Sequence, residues 1–147
     1  MLADVHIRHA MKGDLPRISR FLEVNELPIS GVDKCVENFV VAHDRNGSWV
    51  GIAGLEVYGK AGLLRSVAVD GRFRGMGQGR ALVNAVVGDA KSKGVETVYL
   101  LTDNAESYFG GLGFEVVDRK DVDEAVKVSA EFGEMCASAV AMRKMLK

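Results

Sequence analysis

The stretch that decides the fold runs from Leu64 to Arg80 and reads L-R-S-V-A-V-D-G-R-F-R-G-M-G-Q-G-R. It begins with a nearly continuous apolar run, which is typical of a strand covered on both faces of a sheet. Glycines then alternate at Gly75, Gly77 and Gly79, directly before a helix-like segment. Because glycine lets a backbone coil tightly, the N–H groups of this turn can face one concavity. At a helix N-terminus such free donors, together with the positive end of the dipole, form a site for phosphate.

Three arginines flank these glycines, and their charge matches a pyrophosphate: Arg72, Arg74 and Arg80. The plainer alternative is that the glycines only connect a strand tightly to a helix. A P-loop is excluded, because no Lys-Ser or Lys-Thr pair follows Gly79. A dinucleotide fingerprint is also excluded, because the spacing from Gly75 is G-x-G-x-G rather than G-x-G-x-x-G.

The composition is that of one globular domain over residues 1–147, with 48% hydrophobic and 27% charged residues. The 19 Lys and Arg balance 20 Asp and Glu, so no global charge favours nucleic acid or an anionic membrane as a partner. Cys35 and Cys136 lie far apart and lack metal-ligand spacing, which favours reduced thiols and predicts neither a disulfide framework nor a metal site. No signal-peptide core and no apolar run approaching about 18 residues is present, so we expect a cytoplasmic protein.

The periodicity of apolar residues along the chain predicts alternating strands and helices. Strands are predicted at residues 5–10, 39–42, 48–58, 62–69, 97–101, 114–117 and 137–142. Helices are predicted at residues 15–24, 81–93, 105–112 and 122–132, and a turn at Ser30-Gly31 precedes a short helix. Asn46-Gly47 is a strong hairpin signal between the second and third strands. This order predicts a single α/β domain with a mixed sheet.

The glycine turn resembles the central motif of the GNAT superfamily of N-acetyltransferases, Arg or Gln-x-x-Gly-x-Gly or Ala, at a strand–helix junction. Two overlapping registers match it, Arg72-x-x-Gly75-x-Gly77 and Arg74-x-x-Gly77-x-Gly79. The opening I-R-H-A-M-K-G-D-L-P-R-I is similar to the first strand and helix of the superfamily, and Y-F-G-G-L-G-F at residues 108–114 resembles its last motif. The resemblance therefore spans nearly the whole chain.

Two further stretches narrow the resemblance. L-L-R-S-V-A-V at residues 63–69, with Y-L-L-T-D at residues 99–103, is similar to the amino-acid acetyltransferases, including N-acetylglutamate synthase-like domains. The segment S-A-E-F-G-E-M-C-A-S-A-V-A-M-R-K at residues 129–144 resembles a small acetyltransferase subgroup found with arsenic-resistance genes. The second likeness says little about the substrate.

The resemblance implies an α/β (α+β) acyl-CoA N-acyltransferase fold, in which a mixed, mostly antiparallel sheet is splayed at its middle and carries helices on both faces. It implies acetyl-coenzyme A as cofactor, with direct transfer of the acetyl group to an amine in a ternary complex. The pantetheine arm would pair like an extra strand with Val67, Ala68 and Val69, and the N–H near Val67 would polarise the thioester carbonyl. The residues implied around the pyrophosphate are Arg72, Arg74, Gly75, Met76, Gly77, Gln78, Gly79 and Arg80.

Direct attack requires a base for the acceptor amine and an acid for the leaving thiolate. Glu56, on the strand before Leu64, is the candidate base; the alternatives are a chain of waters and a glutamate that merely faces solvent. The usual tyrosine of the superfamily falls four residues before the glycine of a Gly-Phe pair, and Gly113 puts Phe109 at that place. Either Tyr108, one position earlier, is the acid, or Phe109 only packs against the cofactor and water protonates the thiolate.

The remaining candidate residues are expected to contact the pantetheine arm or the acceptor. Asn104 is expected either to bond the pantetheine or to cap the short helix after it. Arg65, beside Ser66, is expected to hold an acceptor carboxylate with two parallel bonds; the alternative is an outward arginine on a strand half covered by helices. Leu27 and Pro28 fall in the variable substrate loop of the superfamily and would wall the acceptor pocket.

These assignments together describe acetylation of a small-molecule amine, either an amino acid or an amino-acid-like compound. Two alternatives are a catalytically weak acetyl-CoA sensor or interaction module, and an enzyme that acetylates a protein or peptide. Members of the superfamily often dimerise through the strands near the end of the chain, so the resemblance also allows a homodimer.

Overall fold

The computed structural model describes residues 5–134 and 138–146. The strands are β1 (His6–His9), β2 (Val40–His43), β3 (Trp49–Tyr58), β4 (Ala61–Val69), β5 (Thr97–Thr102), β6 (Glu115–Val117) and β7 (Val140–Met145). The α-helices are α1 (Leu15–Val24), α2 (Gln78–Ser92), α3 (Glu106–Gly110) and α4 (Ala130–Glu134). Short 3-10 turns at Val32–Lys34, Val36–Asn38, Gly71–Phe73 and Val126–Val128 lie in the connections.

The strands form one mixed sheet in the order β1-β2-β3-β4-β5-β7-β6. β4 and β5 run parallel, and every other neighbouring pair among the described strands is antiparallel. The parallel pair requires a long crossover, which α2 supplies. The prediction of a mixed, mostly antiparallel sheet is confirmed.

Helices cover both faces of the sheet because neighbouring strand residues point to opposite sides. On one face, Leu82 and Val86 of α2 pack in a core with Ala53 of β3. On the other face, Ile18 of α1 packs with Ile52, the neighbour of Ala53 along the strand. Full burial of a large aliphatic side chain contributes about 1.5–3 kcal/mol, so these two layers fix the helices to the strands that carry the site.

The sheet is splayed between β4 and β5. The two strands pair only as far as Leu63, which lies opposite Tyr99. β4 then continues to Val69 and β5 to Thr102, with no ladder between these later halves in the described chain. The predicted opening at the middle of the sheet is confirmed, and it leaves one edge of β4 without a strand partner.

Some element boundaries differ from those predicted. α2 begins at Gln78 rather than at residue 81, because Gly77 takes a left-handed conformation and passes directly into the helix. The predicted helix over residues 122–132 is broken, since Ser129 is extended between a 3-10 turn and α4. β7 begins at Val140, and residues 136 and 137 lie outside the described chain. Among the described residues, no helix combines the length and apolarity needed to cross a membrane.

Candidate active site

The turn between β4 and α2 is shaped by one aspartate and two glycines. The Asp70 carboxylate accepts the backbone N–H of Arg72 at 2.9 Å, and the Asp70 carbonyl accepts that of Phe73 at 2.9 Å. Gly75 and Gly77 then have φ of +79° and +82°, a region that costs a residue with a side chain about 1–2 kcal/mol. A Cβ on either glycine would meet nothing within 4 Å. The backbone conformation therefore requires glycine, and the space beside it is open.

The second part of this turn, residues 74–80, differs from the first part in its backbone amides. In the part of the chain that the structure describes, no N–H of residues 74–80 donates to another protein group. The first amide of the helix with a partner is that of Ala81, which donates to the Gly77 carbonyl at 3.1 Å. α2 has 15 residues, so its dipole adds positive potential at the same place. A run of free donors at the start of a long helix is a site for an anion such as a diphosphate.

Two of the flanking arginines lie beside these amides. Arg74 and Arg80 both line the cleft that opens next to the turn. Arg74 is held in place by the carbonyl of Val69, which accepts its Nε–H at 3.0 Å, and by Asn25, whose Oδ1 lies 3.2 Å from Nη2. This arrangement adds cationic charge to the free amides.

One side chain predicted to add charge at the pyrophosphate site lies elsewhere. Arg72 turns back to Asp70, with Nε and Oδ1 3.1 Å apart, and does not line the cleft. For the Arg72 side chain the prediction is therefore wrong, because its guanidinium pairs with Asp70. Met76 was expected to contribute its backbone amide, which belongs to the run of amides over residues 74–80.

The open edge of β4 borders the same cleft. The residues of this edge that line it are Leu64, Arg65, Ser66, Val67, Ala68 and Val69. Ser66 has φ of +62°, unusual for a residue with a side chain. The β3–β4 register shifts nearby, between Ile52 and Gly54, which is the signature of a β-bulge that re-aims backbone groups. An extended ligand can hydrogen-bond to such an unpaired edge as an additional strand would.

The turn and the open edge form one cleft of about 1080 Å³. The cleft also brings together residues that the sequence analysis assigned separately: Leu27, Pro28, Gly75, Gly77, Gln78, Gly79, Arg80, Asn104, Tyr108 and Phe109. The glycine turn therefore lies at one part of the cleft wall and the loop after α1 at another, with β4 between them in the lining.

The short helix α3 supplies two aromatic side chains to the cleft. The Tyr108 hydroxyl lies against Gly79, so closely that a Cβ on this glycine would overlap it, whereas Phe109 is buried and packs edge-on with Phe114 at 6.0 Å between ring centroids. Burial raises the pKa of Tyr108 more than nearby Arg80 lowers it, so the phenol is protonated at neutral pH. Of the two, Tyr108 offers a proton donor.

Asn104 lines the cleft and does not cap α3. The N–H of Ala105 at the start of α3 donates instead to the hydroxyl of Thr102, at 3.0 Å, and no side chain caps the helix through Ala105 itself. The capping alternative for Asn104 is therefore wrong. Its contact with the cofactor stays a prediction.

Arg65 and Glu56 form a buried ion pair, with Nη1 and Oε2 2.7 Å apart. The other carboxylate oxygen of Glu56 accepts the hydroxyl of Tyr58; burial and this bond raise the pKa of Tyr58 to about 12, which keeps the donor protonated. Glu56 lines a separate cavity of about 440 Å³ and not the main cleft. Neither residue faces solvent, so the outward alternatives for both are wrong; the role of Glu56 as base stays a prediction.

A further carboxylate, Glu131 of α4, was missed from the sequence. It is 6% exposed and lines the cleft, and its Oε2 lies 3.7 Å from Nη2 of Arg65. Its ion pair joins α4 to Arg65 of β4, far away in sequence, and no local pattern reveals such a contact. The one local signal is Ser129, whose hydroxyl accepts the backbone N–H of Glu131 at 3.1 Å and thereby marks a helix start.

Comparisons with known proteins identify the family to which this fold and cleft belong. The profile of the Acetyltransferase (GNAT) family matches residues 15–114. An amino-acid acetyltransferase of Mycobacterium tuberculosis is 31% identical over 142 residues, covering 90% of this chain and 78% of that protein. The chain belongs to the GNAT family of acetyltransferases. It is an acetyl-CoA-dependent N-acetyltransferase.

Solved structures share the fold at lower identity. N-acetylglutamate synthase from Neisseria gonorrhoeae, complexed with coenzyme A and N-acetyl-glutamate, aligns with a TM-score of 0.83 and 20% identity; the alignment covers 99% of this chain but only 36% of that one. Rv2747 from Mycobacterium tuberculosis, in complex with coenzyme A and a second ligand, aligns with a TM-score of 0.77 and 22% identity over 97% of this chain and 99% of that one. At these identities the likeness shows the fold alone.

The cofactor of the family, acetyl-coenzyme A, fits the residues present. The free amides of residues 74–80, flanked by Arg74 and Arg80, match a diphosphate. The unpaired edge of β4 matches an extended, amide-bearing arm. The predicted cofactor is confirmed; the individual contacts of each residue stay predictions.

Proposed function

We propose that this enzyme acetylates the amine of an amino acid or amino-acid-like small molecule, by direct attack within a ternary complex. One observation carries the proposal: the open edge of β4 runs continuously from the free amides of the glycine turn to residues near the loop after α1, along one cleft. The acceptor class is supported by the 31% identical relative, which is named an amino-acid acetyltransferase.

Acetyl-coenzyme A, when bound, supplies the acetyl group as a reactive thioester. The chain's own contribution is positioning and electrostatics. The amides of residues 74–80 would hold the diphosphate, and the edge at Val67 would hold the extended arm. The N–H of the bulged segment would donate to the carbonyl oxygen on which negative charge develops; a single well-placed donor of this kind is worth about 2.7–4 kcal/mol.

The acceptor ammonium must lose a proton before it can attack. Glu131 is our candidate for the group that attracts the ammonium, because its carboxylate is part of the cleft wall. Water in the cleft would then carry the proton away. Glu56, whose two oxygens bind Arg65 and Tyr58 outside this cleft, acts through Arg65 rather than on the acceptor.

The leaving thiolate requires a proton donor, and we assign that role to Tyr108. Tyr108 lines the cleft, and its hydroxyl is protonated at neutral pH because the usual pKa of a tyrosine is about 10 and partial burial raises it further. Phe109, at the position that the tyrosine occupies elsewhere in the family, is confined to packing.

Screening of the purified chain against a panel of amines tests this proposal, with detection of released thiol and of acetylated product by mass. We expect turnover with free amino acids or close analogues, and none above background hydrolysis with Gly77→Glu. Acetylation of peptide N-termini or lysines alone would replace the proposed acceptor class. Tight coenzyme A binding without turnover on any amine would refute the proposal.

Three further assignments stay predictions: a single domain over residues 1–147, a cytosolic location and a homodimer. Size-exclusion chromatography with light scattering tests the last of these directly.

A further inference from the structure

The guanidinium of Arg65 is bonded to protein oxygens through all of its nitrogens. Its side chain is fully buried, at 0% exposure. Its contacts with protein oxygens are Nε with Ser66 Oγ at 3.0 Å, Nη1 with the Ser30 carbonyl and with Glu56 Oε2 at 2.7 Å each, Nη2 with the Pro28 carbonyl at 3.1 Å, and Nη2 with Glu131 Oε2 at 3.7 Å. A guanidinium has five N–H donors in a fixed fork, and these contacts use all of its nitrogens.

Two of these contacts hold a loop that has no strand or helix of its own. Pro28 and Ser30 lie in the connection after α1, between the end of that helix and the 3-10 turn that starts at Val32. Pro28 and Ser30 are half-buried, and Arg65 donates to both of their carbonyls from β4. Gly31 fits against the same group, since a Cβ there would lie 3.4 Å from Nη1. The loop that walls the acceptor end is thus fastened to the central strand.

The other contacts join the bulge and two carboxylates to the same guanidinium. Ser66, held in a left-handed conformation, is bonded by the adjacent arginine, and such strained residues persist only when their surroundings fix them. Glu56 approaches from β3 and Glu131 from α4. Glu131 also lines the cleft, so its ion pair with Arg65 contributes to holding this carboxylate in the cleft wall.

We propose that Arg65 is a positioning residue. It holds the loop after α1, the bulge at Ser66 and Glu131 together as one wall of the cleft, and it does not itself contact the acceptor. This inference rests on the proposed function. It reverses the expectation that Arg65 reads a substrate carboxylate, because an incoming carboxylate would have to displace protein oxygens already bonded to it. The acceptor is then recognised through its amine and through the shape of the wall.

Arg65→Lys and Glu56→Gln test the proposal together. Lysine keeps the charge but cannot span the same set of acceptors, and Glu56→Gln loosens the grip on Arg65 without altering a residue of the cleft. Each variant is assayed with an amino acid and with the primary amide of that amino acid, which lacks the carboxylate. We expect KM for both acceptors to rise about tenfold with Arg65→Lys, by the same factor within about twofold, since a misplacement of about 1 Å can cost up to about a hundredfold. The Kd for coenzyme A should change much less than these KM values, because the diphosphate would be held by residues 74–80 rather than by Arg65.

An increase confined to the carboxylated acceptor would overturn the proposal in favour of direct recognition. For Glu56→Gln we expect a smaller rise in KM with an unaltered pH–rate profile; a lowered kcat with a shifted profile would instead make Glu56 the base and contradict the positioning role.

Hydrogen exchange provides a second test of the proposal, which does not depend on turnover. In both variants, the amides of Leu27 and Val32, which donate to the carbonyls of Leu22 and Ile29, should exchange about tenfold faster than in the wild type, while those within α2 keep their rates. Unchanged exchange at Leu27 and Val32 would overturn the proposal. A wild-type chain that acetylates no amine would refute the proposed function, and the exchange measurement would still decide on Arg65. If Arg65→Lys does not fold, the acceptor kinetics and the hydrogen exchange are both measured on Glu56→Gln.

Discussion

Gly77→Glu places a carboxylate in the middle of the free amides and tests what those amides bind. A Cβ at Gly77 meets nothing within 4 Å, so the new side chain has room and the fold does not have to rearrange around it. The left-handed φ of +82° costs about 1–2 kcal/mol of stability for any side chain. A negative charge at the start of α2 offsets a few tenths of a kcal/mol of that cost through the helix dipole.

The effect on cofactor binding should be larger than the effect on stability. Two like charges about 6 Å apart, at an effective dielectric near 20, repel by about 3 kcal/mol, which is about a hundredfold in Kd. The introduced carboxylate also competes for the amide donors that the diphosphate needs. We therefore expect coenzyme A affinity to fall by about two orders of magnitude or more.

Isothermal titration calorimetry with coenzyme A measures this loss, with circular dichroism and thermal unfolding to establish that the variant is folded. Gly77→Gln is the matched control, since it has the same strain and nearly the same volume without the charge. It should bind coenzyme A substantially more tightly than Gly77→Glu. Equal affinities for the wild type and Gly77→Glu would refute the assignment of the diphosphate to this turn.

Three other predictions follow from the same geometry. Gly79→Ala should weaken coenzyme A binding several-fold, because its Cβ overlaps the Tyr108 hydroxyl. The control, Gly88→Ala on the open side of α2, should leave the affinity measured by calorimetry unchanged and add about 0.5–1 kcal/mol of stability. Equal affinities of the two variants for coenzyme A would contradict this prediction. Tyr108→Phe should lower kcat about a hundredfold with little change in KM for acetyl-CoA, and an undiminished kcat would assign the proton to water. The hydrogen bond from Arg8 is the main cause that lowers the pKa of Asp14 below its usual 3.8. The wild type should therefore have a higher melting temperature than Asp14→Asn at neutral pH. This difference should vanish as pH falls through the lowered pKa. A difference independent of pH would show that the ion pair is not its source.

The strand, glycine turn and helix that hold the cofactor could be predicted because their chemistry is local. Left-handed glycines, an aspartate that caps the turn and an amphipathic helix are all contiguous in sequence. The same is true of the hairpin at Gly47, whose φ is +84°. Where neighbouring residues determine the conformation, a single sequence carries the information.

The acceptor end could not be predicted in the same way, because three separate segments meet there around Arg65 of β4. Arg65 looked like a residue able to face a ligand, yet oxygens from the loop after α1, from β3 and from α4 surround it. The same contacts remove Glu56 from the cleft and bring Glu131 into it. No periodicity encodes which distant carboxylate will meet a buried guanidinium; only the packed sheet does.

The central claim is that the amides of residues 74–80 are free donors that bind the diphosphate. Glycine-selective ¹⁵N labelling allows the amides of Gly75, Gly77 and Gly79 to be followed by heteronuclear NMR during titration with coenzyme A and, separately, with pantetheine, which lacks the diphosphate. Coenzyme A should shift these three resonances and slow the exchange of their protons, and pantetheine should leave them in place. Glycine resonances of the turn that do not respond to coenzyme A, or that respond equally to pantetheine, would contradict the account.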